Sequence, residues 1–577
     1  MNAERLLAQY EQVADAPDAV ARLRRFILDL AVRGKLVTQD VRDEPASELL
    51  KRIAAEKQRL VKVGEMDKQK PLLPIGEDAD FAIPSSWCWT RLGAIASYIQ
   101  RGKSPKYATS DGALVVSQRC VQWRGLDLAV AKQVTLDSLA DYEQVRFLRS
   151  GDLLWNSTGT GTIGRVVRLV DPPDKLVCDS HVTVVRCLEC DPEYIRTWLR
   201  SDHVYALIED RAAGSTNQVE LTAQMAINQV VPLPPLAEQH RIVAKVDELM
   251  ALCDRLEAAR QAREAARDRL ALASLNRLNA PDSETFQAAA RFALDALPAL
   301  TTRPDQIKQL RQAILNLAVR GRLVRQDPND EPAAQLLKRV AGEITAYGKA
   351  NRIGQTQVEP ISDADLPFSV PNGWQWTRLC ALFKVITDGD HQPPPKADKG
   401  VAFLTIGNVT TGQLDFTDCR LVPETYFKSL APYRTPAKGD ILYTVVGATY
   451  GRPALVDTER DFCVQRHIAI LKPAAAMSLR FLMALLASPF IYDQAKRSTT
   501  GTAQPTIALR PLRNFIAPLP PLAEQHRIVA KVDALMALCD RLEANLISAA
   551  ATRRRLLDAL FAEALAPTED RELQAAE

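Results

Sequence analysis

Apolar residues recur at helical spacing in some stretches and at strand spacing in others, and the whole arrangement is written twice. After Pro234-Pro235, the residues Ile242, Val246, Leu249, Cys253 and Leu256 fall 4, 3, 4 and 3 apart, a heptad stripe. After Pro520-Pro521, the residues Ile528, Val532, Leu535, Cys539 and Leu542 repeat it, continuing to Leu546, Ala549, Leu556 and Leu560. Each stripe predicts a helix of about 38–44 residues, roughly 57–66 Å at 1.5 Å per residue. A preceding proline and an acid in the first turn, Glu238 or Glu524, suit a helix N-terminus. So long a solvated helix needs cover for its stripe, and the duplicate lying antiparallel is the obvious cover.

Stretches 23–57 and 310–344 also carry helical periodicity, with Arg-Gly at 33–34 and 320–321 as stop signals. The Pro-rich stretches 71–84 and 359–371 are linkers. HVTVVRC (181–187) and HIAIL (467–471) alternate as strands do; PEYIRTWLRSD (192–202) and SLRFLMALLAS (478–488) have helical spacing. Stretches 93–231 and 380–517 therefore predict α+β domains of about 140 residues each.

The repeat is nearly literal in places. PLPPLAEQHRIVAKVDELMALCDRLEA (232–258) and PLPPLAEQHRIVAKVDALMALCDRLEA (518–544) differ at one of 27 positions, Glu248 against Ala534. LRRFILDLAVRGKLVTQD (23–40) matches LRQAILNLAVRGRLVRQD (310–327), DEPASELLKR (43–52) matches DEPAAQLLKR (330–339), and WCWTRL (87–92) matches WQWTRL (374–379). The offset is 286 or 287, so two tandem halves meet near residue 285. Between the matched blocks only echoes persist, such as Gly151-Asp152-Leu153-Leu154 with Gly439-Asp440-Ile441-Leu442, and His181 with His467. Such unequal divergence suggests that the matched blocks meet one partner twice while the unmatched stretches meet two different ligands; a recent duplication under uneven drift is the alternative.

Composition narrows the class. The 577 residues carry 73 Lys and Arg against 70 Asp and Glu, with 25% charged, an ordinary globular balance. No run of about 18 apolar residues predicts a membrane span, and the acidic start MNAERLLAQYEQVADAPDAV is unlike a secretory signal. Ten cysteines are too sparse for a disulfide scaffold, so free thiols in a reducing cytoplasm are expected.

Catalytic motifs are near misses. GTGTIGRV (159–166) lacks the Lys and Ser/Thr of a phosphate loop, and DPPD (171–174) lacks the aromatic of an amino-methyltransferase signature. No [DE]-x-K tripeptide occurs, which argues against the common metal-dependent nuclease core. Cys187-x2-Cys190 near Cys178 and His181 could ligate zinc, but the second half has no counterpart, and the reading is no metal. His240 and His526 are expected to cap or decorate a helix surface rather than catalyse. No catalytic residue is assigned.

Binding remains. Stretch 84–231 balances 16 basic with 16 acidic residues, whereas 371–517 has 17 basic against 11 acidic. Each domain carries three polar loops suited to phosphates and base edges. In the first, the candidates are Arg101, Lys103, Ser104 and Lys106; Asn156, Ser157, Thr158 and Thr160; and Ser215, Thr216, Asn217 and Gln218. In the second, they are Asp390, His391, Gln392 and Lys396; Thr444, Thr449, Tyr450 and Arg452; and Thr500, Thr502 and Gln504. Ordinary solvated turns are the alternative for any one of these residues.

The twice-written PLPPLAEQHRIV, the LAVRG-[KR]-LV segments and the W-x-W-T-R-L blocks resemble the specificity subunit of type I restriction–modification systems, and the resemblance covers nearly the whole chain. It implies an α+β protein with two target-recognition domains, separated by two long antiparallel helices as a coiled-coil-like spacer, in a pseudo-twofold internal repeat. The expected boundaries are 1–83 (helical), 84–231 (first recognition domain), 232–370 (a central region with a long helix at 236–275), 371–517 (second recognition domain) and 518–577 (C-terminal helix). The resemblance further implies a non-catalytic, cytoplasmic subunit. It would read double-stranded DNA with a split site and hold two methyltransferase subunits and an ATP-dependent restriction subunit. S-adenosylmethionine, ATP and magnesium would sit on those partners, with no cofactor in this chain. The expected docking and spacer residues are Leu236, Glu238, Gln239, Arg241, Ile242, Val246 and Leu249, with Leu522, Glu524, Gln525, Arg527, Ile528, Val532 and Leu535. A self-sufficient methyltransferase or nuclease, or a scaffold that no longer reads DNA, are the rival readings.

Overall fold

Each Trp block and the Val-Pro-Leu or Ala-Pro-Leu run that precedes a long helix are extended, apolar and alternating, and they pair with each other. Cys88–Arg91 is antiparallel to Val230–Leu233, and Gln375–Arg378 to Ile516–Leu519. Each domain is thus closed by a two-stranded clasp that draws on the repeated Trp and Pro-Leu blocks. The divergent chain runs out from one strand of the clasp and returns to the other.

A computed structural model describes residues 16–565, apart from 17, 77–78, 80, 109–111, 160, 213–219, 280–284, 355–356, 392–393, 411 and 502–503. The chain divides into two units, Met1–Ala262 with Ala550–Glu577, and Arg263–Ala549. Each holds a domain of mixed helix and sheet, and the first 44-residue helix, Leu236–Asn279, lies between those domains in the chain; the second is Leu522–Leu565.

In the first unit, strands Ala96–Arg101, Val182–Cys187, Leu153–Asn156 and Val166–Arg168 form a four-stranded antiparallel sheet in that order. A second sheet runs Val177–Cys178, Ala113–Val116, Lys132–Val134, Tyr107–Ala108. The second unit repeats the first sheet with Phe383–Asp388, Ile468–Pro473, Ile441–Thr444 and Pro453–Leu455, while its other sheet has three strands, with Val401–Leu404 in the middle. Tyr194, Trp198 and Trp155 fill the first core; Phe383, Tyr443 and Phe481 fill the second.

The helical blocks end where the sequence predicts. Ala19–Val32 and Pro304–Val319 stop before Arg-Gly, with Gly34 and Gly321 both at φ +67°. A Cβ there would lie 2.5 Å from Pro84 Cγ or 2.4 Å from Pro371 Cγ, so only glycine lets the helix end seat against the linker proline.

Two expectations about the long helices change. The first helix ends at Asn279, four residues past 275, because Leu275 and Leu278 pack on Ala289 and Ala293 of Phe286–Asp295. The first half of each stripe is covered within its own unit rather than by the duplicate. Ile242, Val246 and Cys253 pack with Val20, Ile27 and Leu28, and Ile528, Val532 and Cys539 with Ile307, Ile314 and Leu315. The short helices have apolar faces of their own to bury, and this contact buries both. In the first unit the last turns of Leu522–Leu565 also pack on Ala19–Val32, where Phe561 stacks on Phe26 at 4.3 Å.

Candidate nucleic-acid interface

The repeated blocks are explained by one joint, built twice. Glu238 accepts hydrogen bonds from Trp87 Nε1 at 3.0 Å and Gln39 Nε2 at 2.8 Å; Glu524 accepts from Trp374 Nε1 at 2.9 Å and Gln326 Nε2 at 3.0 Å. Arg241 pairs with Asp43 and Arg527 with Asp330, both at 2.6 Å. Gln239 accepts from Asp191 N and donates to Pro234 O; Gln525 accepts from Ser478 N and donates to Pro520 O. Arg91 and Arg378 each donate to a backbone carbonyl at 2.7 Å, of Asn228 and Asn514. Arg33 and Arg320 lie over Phe81 and Phe368 at 4.6 and 4.5 Å. The LAVRG, QD, DEP, W-x-W-T-R and PLPPLAEQHR segments therefore meet one another in each unit.

This revises the docking expectation. Glu238 is 1% exposed and Gln239 0%; Glu524 is 1% and Gln525 0%. Ile242, Val246, Ile528 and Val532 are buried too, and Leu236, Leu249, Leu522 and Leu535 pack against the same cores. These side chains, with the ion-paired Arg241 and Arg527, bind their own unit because the joint consumes their donors, acceptors and apolar surface. Among the residues left facing outward in both copies are Ala237, His240, Ala244 and Asp247, and Ala523, His526, Ala530 and Asp533, spaced 3, 4 and 3 along one helical face.

The echo Gly-Asp also has a physical cause. The Asp152 carboxylate, 1% exposed, is held by Arg186 Nε and Nη2 at 2.7 Å each and by Arg149 N at 2.8 Å. Asp440 is held by Lys472 and by Ala437 N in the same way. Burial pushes the Asp440 carboxyl up, and Lys472 opposes it. Arg186→Met leaves Asp152 buried without its cation. It is expected to cost about 3–5 kcal/mol in denaturant unfolding; a loss below about 1 kcal/mol would show that the pair is dispensable.

The described parts of the predicted polar loops gather at one end of each central sheet. In the first domain, Ser157 N donates to His181 O at 2.9 Å, Leu221 N to Ser157 O at 2.7 Å, and Arg101 pairs with Glu220. Ser104 Oγ meets Ser180 Oγ at 3.0 Å and Thr158 Oγ1 meets His181 Nδ1 at 2.8 Å. In the second, Val445 N donates to His467 O at 3.1 Å, Ile507 N to Val445 O at 2.8 Å, and Gly447 N to Pro505 O at 2.9 Å. Gly102 and Gly389 mark the same close crossing: a Cβ would lie 2.2 Å from Asp179 O or 1.9 Å from Val464 O.

Individual candidates sort by burial. Lys103, Ser104, Lys106, His391, Lys396, Arg452, Thr500 and Gln504 are exposed. Arg101 is half-buried, with Nε on Ser180 O at 2.7 Å. Tyr450 stacks on Tyr492 at 5.6 Å, and Asp390 accepts from Tyr426 OH at 3.0 Å. Asn156, Ser157 and Thr444, expected as DNA contacts, are at most 1% exposed. Asn156 Nδ2 donates to Gln118 O and Thr162 O, Ser157 Oγ bonds Thr183, and Thr444 Oγ1 donates to Thr449 O, so they build the loops instead. Thr449 is half-buried and serves Thr444 through its carbonyl. Thr160, Ser215, Thr216, Asn217, Gln218, Gln392 and Thr502 lie outside the described residues.

Sequence reasoning missed Gln118, Ser180 and Glu220, which sit among these loops but lie in no repeated motif; the paired His181 and His467 were the available signal. Burial and Arg466 lower the His467 pKa, keeping its imidazole neutral at pH 7. Cys187 and Cys190 are free thiols that pack in one core cluster, while Cys178 belongs to a different one, so the four candidate zinc ligands do not converge. Among the described residues no cluster of three or more His, Cys, Asp or Glu is placed to hold a metal, and no helix is long and apolar enough to cross a membrane.

Comparison with known proteins adds an independent line. Residues 372–551 match the family model described as "Type I restriction modification DNA specificity domain". The chain is 31% identical to the EcoAI specificity subunit of Escherichia coli, over 94% of this chain and 93% of that one. It is 32% identical to the EcoEI specificity subunit of the same species, over 95% and 94%. Among solved structures, the HsdS subunit from Thermoanaerobacter tengcongensis is 21% identical, covering 85% of this chain and 99% of that one, with a TM-score of 0.43.

Proposed function

The chain belongs to the specificity subunits of type I restriction–modification systems, and from that membership we propose that it reads a bipartite DNA sequence and leaves the chemistry to partner subunits. Residues 84–231 and 371–517 act as the two target-recognition domains, one per half-site. The repeated helical regions at 1–83, 232–370 and 518–577 hold two methyltransferase subunits and, with them, an ATP-driven restriction subunit, in the cytoplasm. S-adenosylmethionine, ATP and magnesium are bound by those partners.

One observation carries the reading: the two domains keep the same central sheet, clasp and joint, yet present different side chains at the same end. A frame held constant under two unlike faces suits two different DNA words. The exposed face Ala237, His240, Ala244 and Asp247, present again at Ala523, His526, Ala530 and Asp533, supports a partner bound twice.

The complex of this chain with its methyltransferase partner should select a split motif from random DNA, with binding that weakens steeply as salt rises. Binding without base preference at any salt would favour the scaffold reading, and DNA modification by the purified chain alone would favour an enzyme.

The long helices are proposed as the ruler between half-sites. Inserting four residues into each, after Ala258 and after Ala544, adds about 6 Å. The unread gap in the selected motif is expected to lengthen by about two base pairs at 3.4 Å each, with the read bases unchanged. An unaltered gap counts against the ruler.

A further inference from the structure

We propose that Gln118 and His181 are specificity-determining residues of the first domain, with Gln118 reading an adenine edge, and that Ile406 reads a thymine methyl from the matching place in the second domain. This rests on the DNA-recognition reading above and goes further by assigning the readers.

Backbone pairing fixes the correspondence without reference to side chains. Asp179 N donates to Val116 O and Gln465 N to Leu404 O, both at 2.9 Å, so Val116 matches Leu404 and, two residues on, Gln118 matches Ile406. The bridge Thr158–Glu220 matches Val446–Thr506. Ser157 N on His181 O matches Val445 N on His467 O. Thr183 faces Arg101 as Ala469 faces Asp388. Across this frame the chemistry is inverted: Gln118, Ser157, Thr158 and Thr183 stand where Ile406, Val445, Val446 and Ala469 stand.

A base-edge reader must keep donors or acceptors to spare after the fold is satisfied. Gln118 meets that condition. Its backbone is clamped by Asn156 Nδ2 at 3.0 Å, and its Oε1 lies 3.4 Å from the hydroxyls of Thr158 and Thr162, beyond a strong bond. Its Nε2 bonds none of the described residues. Asn156 Oδ1 beneath it is buried without a donor. His181 is exposed, with Nδ1 engaged by Thr158 and Nε2 facing no partner among the described residues. An amide offering a donor and an acceptor together matches adenine N6 and N7, whereas a half-buried Ile406 offers only apolar contact, which suits the thymine methyl. Both residues are uncharged, so they are poorly suited to phosphate and well suited to reading.

The test selects bound DNA from a pool randomised in both half-sites, using the full chain with its methyltransferase partner. Gln118→Ile is expected to lose about 5- to 150-fold discrimination for adenine at one position of one half-site, leaving the other half-site intact. Ile406→Gln should mirror this in the other half, and His181→Asn should relax a base beside the Gln118 position. Lys103→Ala, a phosphate control, should weaken binding to all sequences alike. If Gln118→Ile fails to fold, Gln118→Glu keeps the shape and should move the preference from adenine toward cytosine. Variants that bind DNA with unchanged base preferences would overturn the assignment while leaving the recognition reading intact. A wild-type complex that enriches no bases would overturn the recognition reading itself.

Discussion

Exchanging residues 93–229 for the matching stretch of another specificity subunit is expected to replace one half of the recognised sequence and leave the other half and the gap as they were. The cut points lie just inside the clasp, where Leu92 N donates to Gln229 O at 2.8 Å, as Leu379 N does to Phe515 O in the second unit. The clasp strands, the joint at Glu238 and the long helix are then untouched. Losing every contact to one half-site should weaken binding to the original DNA on the order of a thousandfold or more, since each mismatched pair costs about 1–3 kcal/mol. Sequencing the DNA bound before and after the exchange checks this. A change in both halves, or in neither, would contradict independent domains.

Glu238→Ala should be the most damaging single substitution in the joint. It strands the buried Trp87 Nε1, which lies 151 residues from Glu238 in sequence, while the exposed Gln39 amide keeps its bond to Gly34 O. One buried unpaired donor implies a loss of about 1–3 kcal/mol in denaturant unfolding, and Glu524→Ala should behave alike in the second unit, where Trp374 Nε1 is stranded and Gln326 keeps Gly321 O. Glu238→Gln keeps the volume and one acceptor and should lose about 1 kcal/mol.

The pair also has a pH signature. Burial, opposed by the hydrogen bonds from Gln39 and Trp87, raises the Glu238 pKa, and the same balance with Trp374 and Gln326 raises Glu524. A carboxyl whose folded pKa lies above its unfolded value adds stability that is full below the unfolded pKa and is lost as pH rises through the folded one. The wild type should therefore gain on Glu238→Gln as pH falls from 7 toward 4. Parallel unfolding curves at both pH values would refute the shift.

Much of this molecule was legible in the residues. The heptad stripes, the Arg-Gly stops, the strand runs at 181–187 and 467–471 and the family resemblance came from local spacing and literal repetition, which need no tertiary knowledge. What the repeats are for was not legible in the same way. The sequence reading assigned the matched blocks to an outside partner, yet Glu238, Gln239, Arg241 and their copies spend their bonding capacity inside their own unit. Spacing alone cannot tell an inward from an outward polar residue in the first turn of a helix. Likewise Asn156, Ser157 and Thr444 look like loop contacts in sequence, but each closes its own loop.

By itself, the sequence determined the two-fold repeat, the positions and approximate lengths of the long helices and the two unlike domains between matched blocks, because periodicity and self-similarity are properties of the chain. Only the tertiary structure decided which polar residues remain available. Gln118, the neighbours Ser180 and His181, and Glu220 come from three separate segments and are brought together at one sheet end by backbone pairing, and no local pattern encodes that meeting.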